Sequence, residues 1–214
     1  MENRNKRIIM SILGVTVCGI SVGIFKYASF GVDPFQSLMG GLNAVFPISF
    51  GTLYVIVNIC LLSFGFIFDR TKIGIGTMIN LFFLGYIAEY SEKFFVRTLT
   101  GAGIGTRIVM LLIGIVTICF ACSFYFTADL GVSTYDAVSL ILSERFRKIP
   151  FKFWRVISDL ICIGLGVTFI MISAGSMNDI MKIVGIGTII TAFFMGPLIE
   201  FFNERISRPF LYKK

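Results

Sequence analysis

The chain has 214 residues, 56% hydrophobic and 14% charged, with mean hydropathy +0.89, a formal charge of +7 and no histidine. Soluble domains carry about 25% charged residues, so the composition excludes an ordinary water-soluble fold. The basic residues sit between long apolar runs and not along one polar face, which argues for membrane topology and against a nucleic-acid surface.

In chain order, residues 8–28 follow Arg4, Lys6 and Arg7 and form an apolar run too long for the core of a cleaved leader. No small-x-small cleavage site precedes Lys26, so this run is expected to be the first span. Next comes "FGVDPFQSLMGGLNAVFPIS", too short to cross a bilayer and too apolar for an ordinary loop. Asp33 followed by Pro34 is a helix-start signal there. Spans are predicted at 51–68, 73–90 and 107–128. The segment "LGVSTYDAVSLILSERFRKIP" then repeats the short-helix pattern, with Ser133 and Asp136 in capping positions. Spans at 151–172 and 180–202 complete the series.

The second half echoes the first. Residues 74–90 match 185–201 at nine of seventeen positions, where roughly two matches are expected by chance. "FGVDPFQSL" aligns with "LGVSTYDAV" at an offset of 100, and Asn58 falls on Asp159 at an offset of 101. Three spans per half is an odd number, so the second half must enter the membrane from the opposite side. The expected fold is an all-α polytopic membrane protein. Its six transmembrane helices form two inverted three-helix repeats, each with a short re-entrant or interfacial helix after its first span. Residues 1–214 read as a single transmembrane domain, with repeat 1 over about 8–90 and repeat 2 over about 107–202.

The predicted topology places Arg4, Lys6, Arg7, Arg70, Lys72, Arg145, Arg147, Lys148, Lys152, Arg155, Arg205, Arg208, Lys213 and Lys214 on one side. These are fourteen of the 19 basic residues. The positive-inside rule makes that side, with both termini, cytoplasmic. The localisation expected is the bacterial inner membrane.

Gly31, Val32, Pro34 and Phe35, then Gly51 and Thr52, then Gly74, Gly76 and Thr77 carry a resemblance over nearly the whole chain. In this pattern the chain resembles the YczE/YyaS/YitT group of uncharacterised bacterial integral membrane proteins. The resemblance implies a fold and, at most, a permease. Phe35 and Gln36 stand where that group has Trp and Asp, while the aligned Asp136 keeps the acid.

Asp159 lies nine residues into its span, about 12–14 Å along the helix and near mid-membrane. A lone carboxylate there costs ~2.5–3.5 kcal/mol on insertion scales, so it should face a cavity or a partner. Arg155, one turn earlier, and Asn58, across the pseudo-axis, are the expected partners. Asp33 and Asp136, at the short-helix starts, and Asn80 are further candidates for a substrate or ion pathway. Gly31 and Gly131 are expected to pack helices closely or act as hinges. The small-residue faces Gly74, Thr77, Gly85 and Gly185, Thr188, Gly196 are expected to pack helices closely or act as hinges. Cys119 and Cys122 form a C-x-x-C inside an apolar span, without histidine, and are expected to pack, not to hold metal.

The function expected is a small secondary transporter or permease with a midplane site between the repeats. The alternative is a non-transporting accessory or partner subunit. No nucleophile–base pair or cofactor motif is visible, so neither an enzyme nor a cofactor is expected. The partners expected are the bilayer, a small-molecule or ion substrate, and a second copy in a homodimer, with no nucleic acid.

Overall fold

The computed structural model describes residues 2–146 and 151–212, with side chains from 4 to 146 and from 153 to 212. The predicted basic residues Arg147, Lys148, Lys213 and Lys214, and the side chain of Lys152, lie outside that description. All regular structure in it is helical: α1 (Glu2–Ala28), α2 (Pro34–Val45), α3 (Phe50–Phe68), α4 (Ile75–Thr98), α5 (Ile104–Ala128), α6 (Thr134–Arg145), α7 (Phe151–Ile172), α8 (Met177–Ile183), α9 (Ile186–Phe202) and α10 (Arg208–Tyr212).

By length and composition, five stretches among the described residues can cross a membrane: Arg4–Ala28, Phe50–Phe68, Ile104–Ala128, Phe153–Ile172 and Met177–Tyr212. The predicted span at 73–90 is not among them. It becomes α4, which runs on to Thr98, and Asn80, Glu89 and Glu92 dilute its apolar face. The predicted span at 180–202 is broken into α8 and α9 at Val184 and Gly185. It then continues through a π-helical turn over Asn203–Ser207 into α10. The π turn is held on α5 by Thr127 Oγ1 donating to Asn203 Oδ1 at 2.7 Å and by Ser123 and Ser207 hydroxyls 2.6 Å apart. Between α3 and α4, the Thr71 hydroxyl and backbone N–H donate to Asp69 and hold its carboxyl below the usual carboxylate range.

At the centre, α1 and α5 run antiparallel. Arg7 Nη1 donates to the Ala128 carbonyl at 2.9 Å, and Arg107 Nε donates to the Ala28 carbonyl at 2.9 Å. Each arginine thus satisfies a carbonyl left free at the other helix's C-terminus. Midway, Ser21 Oγ donates to Thr117 Oγ1 at 2.8 Å. α4 packs along α1 and α9 along α5. α2 lies on α7 so closely that a Cβ at Gly41 would stand 2.4 Å from the Gly166 carbonyl oxygen.

The turns after α1 and α5 are fixed in the same way. Gly31 (φ +99°) and Gly131 (φ +105°) hold a left-handed conformation that favours glycine. Val32 N donates to the Ile183 carbonyl at 3.2 Å, and Gly187 N donates to the Phe30 carbonyl at 2.7 Å. In the other half, Val132 N donates to the Lys72 carbonyl at 3.2 Å, and Gly76 N donates to the Leu130 carbonyl at 2.8 Å. Thr77 Oγ1 accepts from Gly74 N at 3.2 Å and donates to the Val132 carbonyl at 2.7 Å. Its counterpart Thr188 accepts from Gly185 N at 3.2 Å and donates to the Ile183 carbonyl at 3.3 Å. The close contacts of Gly74 and Gly185 are therefore with these turns, where helix–helix packing was expected.

A Cβ at Gly74 would stand 2.2 Å from the Leu130 carbonyl oxygen, and one at Gly185 would stand 2.4 Å from that of Phe30. Gly105 has nothing among the described residues within 4 Å of such an atom. Gly74→Ala and Gly185→Ala should each lower thermal stability in detergent, by about 1–3 kcal/mol as in overpacked interiors. Gly105→Ala should not. Equal melting temperatures for the three variants would contradict the close approach.

Candidate functional site

The helix starts of α2 and α6 converge on a central cavity of about 400 Å³. Asp33 caps α2, accepting from Gln36 N at 3.2 Å, and Pro34 occupies the first turn, where no N–H is needed. Ser133 caps α6, accepting from Asp136 N at 3.1 Å and donating to Asp136 Oδ2 at 2.6 Å. Asp33, Gln36, Ser133, Tyr135 and Asp136 reach the cavity from these two starts. Tyr54 and Asn58 of α3, Asn80 of α4, Tyr125 of α5, and Arg155 and Asp159 of α7 join them from the long helices.

The polar contacts run crosswise. Asp159 accepts from Tyr135 OH at 2.6 Å and pairs with Arg155 Nε at 3.3 Å. Arg155 also bonds Asp136, and its guanidinium lies 4.5 Å from the centre of the Tyr135 ring. Asn58, only 1% exposed, donates to the Tyr54 carbonyl at 2.8 Å and accepts from Thr134 Oγ1. Tyr54 OH donates to Asn80 Oδ1 at 3.2 Å. Phe35 and Tyr135, which occupy matching positions in the two halves, stack at 5.0 Å between centroids and 22° between planes.

All six candidates for the pathway (Asp159, Arg155, Asn58, Asp33, Asp136 and Asn80) line this cavity. The expected Asp159–Asn58 pairing across the axis is replaced. The first turn of α6 comes between the two residues and takes Asn58 through Thr134 and Asp159 through Tyr135. Sequence reasoning passed over Thr134, Tyr135 and Gln36 as site residues. For Tyr135 the signal available was its alignment with Phe35, on which its ring stacks.

A family model described as a family of unknown function (DUF6198) matches residues 5–204. The chain belongs to this family. Among curated proteins, it is 23% identical over 183 residues to the uncharacterised membrane protein YczE of Bacillus subtilis, covering 86% of this chain and 78% of that one. It is 21% identical over 201 residues to the B. subtilis uncharacterised protein YyaS, covering 94% of both chains. An uncharacterised Haemophilus influenzae protein is 21% identical over 204 residues, covering 95% of this chain and 86% of that one. No solved structure matches the chain. With its apolar helices and its likeness to YczE, this DUF6198 member is a multi-pass membrane protein.

The walls of its cavity are unequal. On one side α3 closes against α4: a Cβ at Gly85 would stand 2.5 Å from Tyr54 Cβ, and Glu89 accepts from Gly51 N at 2.9 Å. The matching glycine of α9, Gly196, has nothing among the described residues within 4 Å of an added Cβ and lines the cavity instead. Its expected packing role is thereby corrected. Among the described residues α7, which carries Arg155, does not pack along α9. Glu200, the counterpart of Glu89, pairs with Arg208 at 3.7 Å.

Arg155 balances two carboxylates. Arg155→Met should destabilise the protein, because Asp136 and Asp159 lose their counter-charge in a partly enclosed site. Asp159→Asn should lower stability by less than about 1 kcal/mol, since Arg155 keeps Asp136 and partly exposed pairs contribute little. Thermal unfolding in detergent checks the order, and an equal loss in both variants would show Asp159 to be the main structural partner of Arg155.

Proposed function

We propose that this protein is a secondary transporter in which two inverted repeats, residues 8–90 and 107–202, alternate access to the central cavity. Six spans are assigned to it, with α4 as the third, buried against α1 and so tolerant of Asn80. The inner-membrane orientation follows the basic residues and puts both termini in the cytoplasm. The observation that carries the reading is the inequality of Gly85 and Gly196: matched positions in the two halves, one clamped on Tyr54 and the other open. In the assigned orientation Gly85 lies in the outer half of its span and Gly196 in the inner half. The cavity is then closed to the outside and open to the cytoplasm between α7 and α9. Exchange of the two conformations between repeats would give the outward-facing state, the alternation that inverted repeats provide in other transporters. Asp159 and Asp136, held by Arg155, supply carboxylates that a coupling cation or proton can occupy in one state and leave in the other.

Orientation is tested with single cysteines in a cysteine-free background at Ile48, 40% exposed between α2 and α3, and at Phe146, 50% exposed after α6. A membrane-impermeant maleimide should label Ile48→Cys from outside and Phe146→Cys only after the membrane is opened. Labelling of both from one side removes the inverted topology.

Alternation is tested without knowledge of the substrate. Spin labels at Val156 and Phe201, both exposed near the inner ends of α7 and α9, should report two distance populations in proteoliposomes. Gly196→Leu should leave the melting temperature unchanged, because the added side chain meets open space, and should abolish the shorter distance together with any flux. A single distance in the parent protein would favour the non-transporting accessory subunit.

A further inference from the structure

A second cavity, of about 820 Å³, lies beyond the first and is edged by charged residues including Lys26, Glu89, Lys93, Arg97, Asp179 and Lys182. Gln36 belongs to the walls of both cavities. It is 6% exposed, and among the described residues its Oε1 is buried with no hydrogen-bond partner, as are Ser11 Oγ, Tyr125 OH and Trp154 Nε1. A buried acceptor left unpaired costs stability, and native structures rarely keep one without use. Its position on the partition between the two spaces gives it one.

The charge balance says what it accepts from. Three carboxylates (Asp33, Asp136 and Asp159) and one guanidinium (Arg155) line the central cavity. The N-termini of α2 and α6 add roughly half a positive charge each, so about one negative charge stays uncompensated. Arg155 bonds Asp136 and Asp159, while Asp33 has no ion pair among the described residues. The two helix starts do not recruit an anion, because Asp33 and Ser133 already accept from their N–H groups. The aromatic walls Phe35, Tyr54 and Tyr135 suit a cation, and the Tyr135 ring already receives the Arg155 guanidinium on its face. A volume of about 400 Å³ is at the small end of ligand pockets.

We infer that the central cavity binds a small organic cation carrying N–H groups, a primary ammonium compound, with the Gln36 carbonyl oxygen accepting one N–H and Asp33 supplying the counter-charge. This assigns a substrate class to the transport reading and rests on it only for the direction of movement; the binding site stands or falls separately. Gln36 is then a specificity-determining residue: its amide distinguishes an ammonium with protons to donate from a quaternary one of the same charge.

The test uses the full-length protein in detergent with benzylammonium, ethylammonium and tetramethylammonium chlorides, against sodium chloride and sodium benzoate at matched ionic strength. Benzylammonium and ethylammonium should raise the melting temperature saturably, tetramethylammonium less, and benzoate and sodium not at all. Gln36→Leu should have an unchanged or higher melting temperature without ligand, since it removes an unpaired buried acceptor. It should weaken primary ammonium binding about tenfold and leave tetramethylammonium binding as it was. Gln36→Glu, which keeps an acceptor, should retain the preference. Equal stabilisation by benzoate or by sodium, a loss of stability in ligand-free Gln36→Leu, or an unchanged preference in that variant would each overturn the site. Exchange of labelled ethylammonium across proteoliposomes is measured beside these. Binding without exchange removes the transport reading and leaves the site, whereas Val156–Phe201 alternation without ammonium binding does the reverse.

Discussion

Backbone hydrogen bonds exchanged between the turn after one helix and the start of another are the interaction on which the rest of this structure depends. Within a bilayer a broken helix exposes N–H and C=O groups that no water can satisfy, so breaks survive only where protein supplies partners. Here the turn at Phe30–Val32 is satisfied by Ile183 and Gly187, and the turn at Leu130–Val132 by Lys72 and Gly76. Each half of the chain thereby closes the open backbone of the other. A side chain at Gly74 or Gly185 would push a carbonyl out of that contact, which is why glycine stands at both.

From that fastening follows the placement of the short helices. Once the turns are pinned, α2 and α6 must begin near the molecular centre, and their capping residues Asp33 and Ser133 arrive at the cavity together. The ring stack of Phe35 on Tyr135 lies between the two starts and contributes about 0.5–1.5 kcal/mol beyond its burial. Polar groups that would be costly in lipid are thus gathered where they satisfy each other: Asn58 with Thr134, Asp159 with Tyr135 and Arg155.

The two halves share this plan and differ in how the cavity wall closes. Tyr54 fills the space at Gly85, whereas the matching Arg155 turns to Asp136 and leaves Gly196 open. A long charged side chain finds its energy in carboxylates, and a tyrosine finds it in packing against a helix face. The difference in chemistry between matched positions therefore favours closure on one side and opening on the other.

The sequence by itself determined the membrane class, the helix starts at Asp33 and Ser133, and the internal repeat, because apolar run length, capping pattern and self-similarity are local or linear signals. It also marked Asp159, Arg155 and Asn58 as residues needing partners, since a charge or amide amid an apolar run is legible without coordinates. Which partners they took was decided only by tertiary structure. Asn58 and Asp159 are aligned positions of the two halves, yet the first turn of α6 stands between them, and no spacing along the chain encodes that insertion. The equivalence of Gly85 and Gly196 was equally plain in the alignment, and their opposite surroundings were not, because α3 packs on α4 whereas, among the described residues, α7 does not pack along α9. Gln36 reads, with Phe35, as a departure from a family pattern in the sequence; only the meeting of two cavities at its side chain gives its unpaired oxygen a meaning.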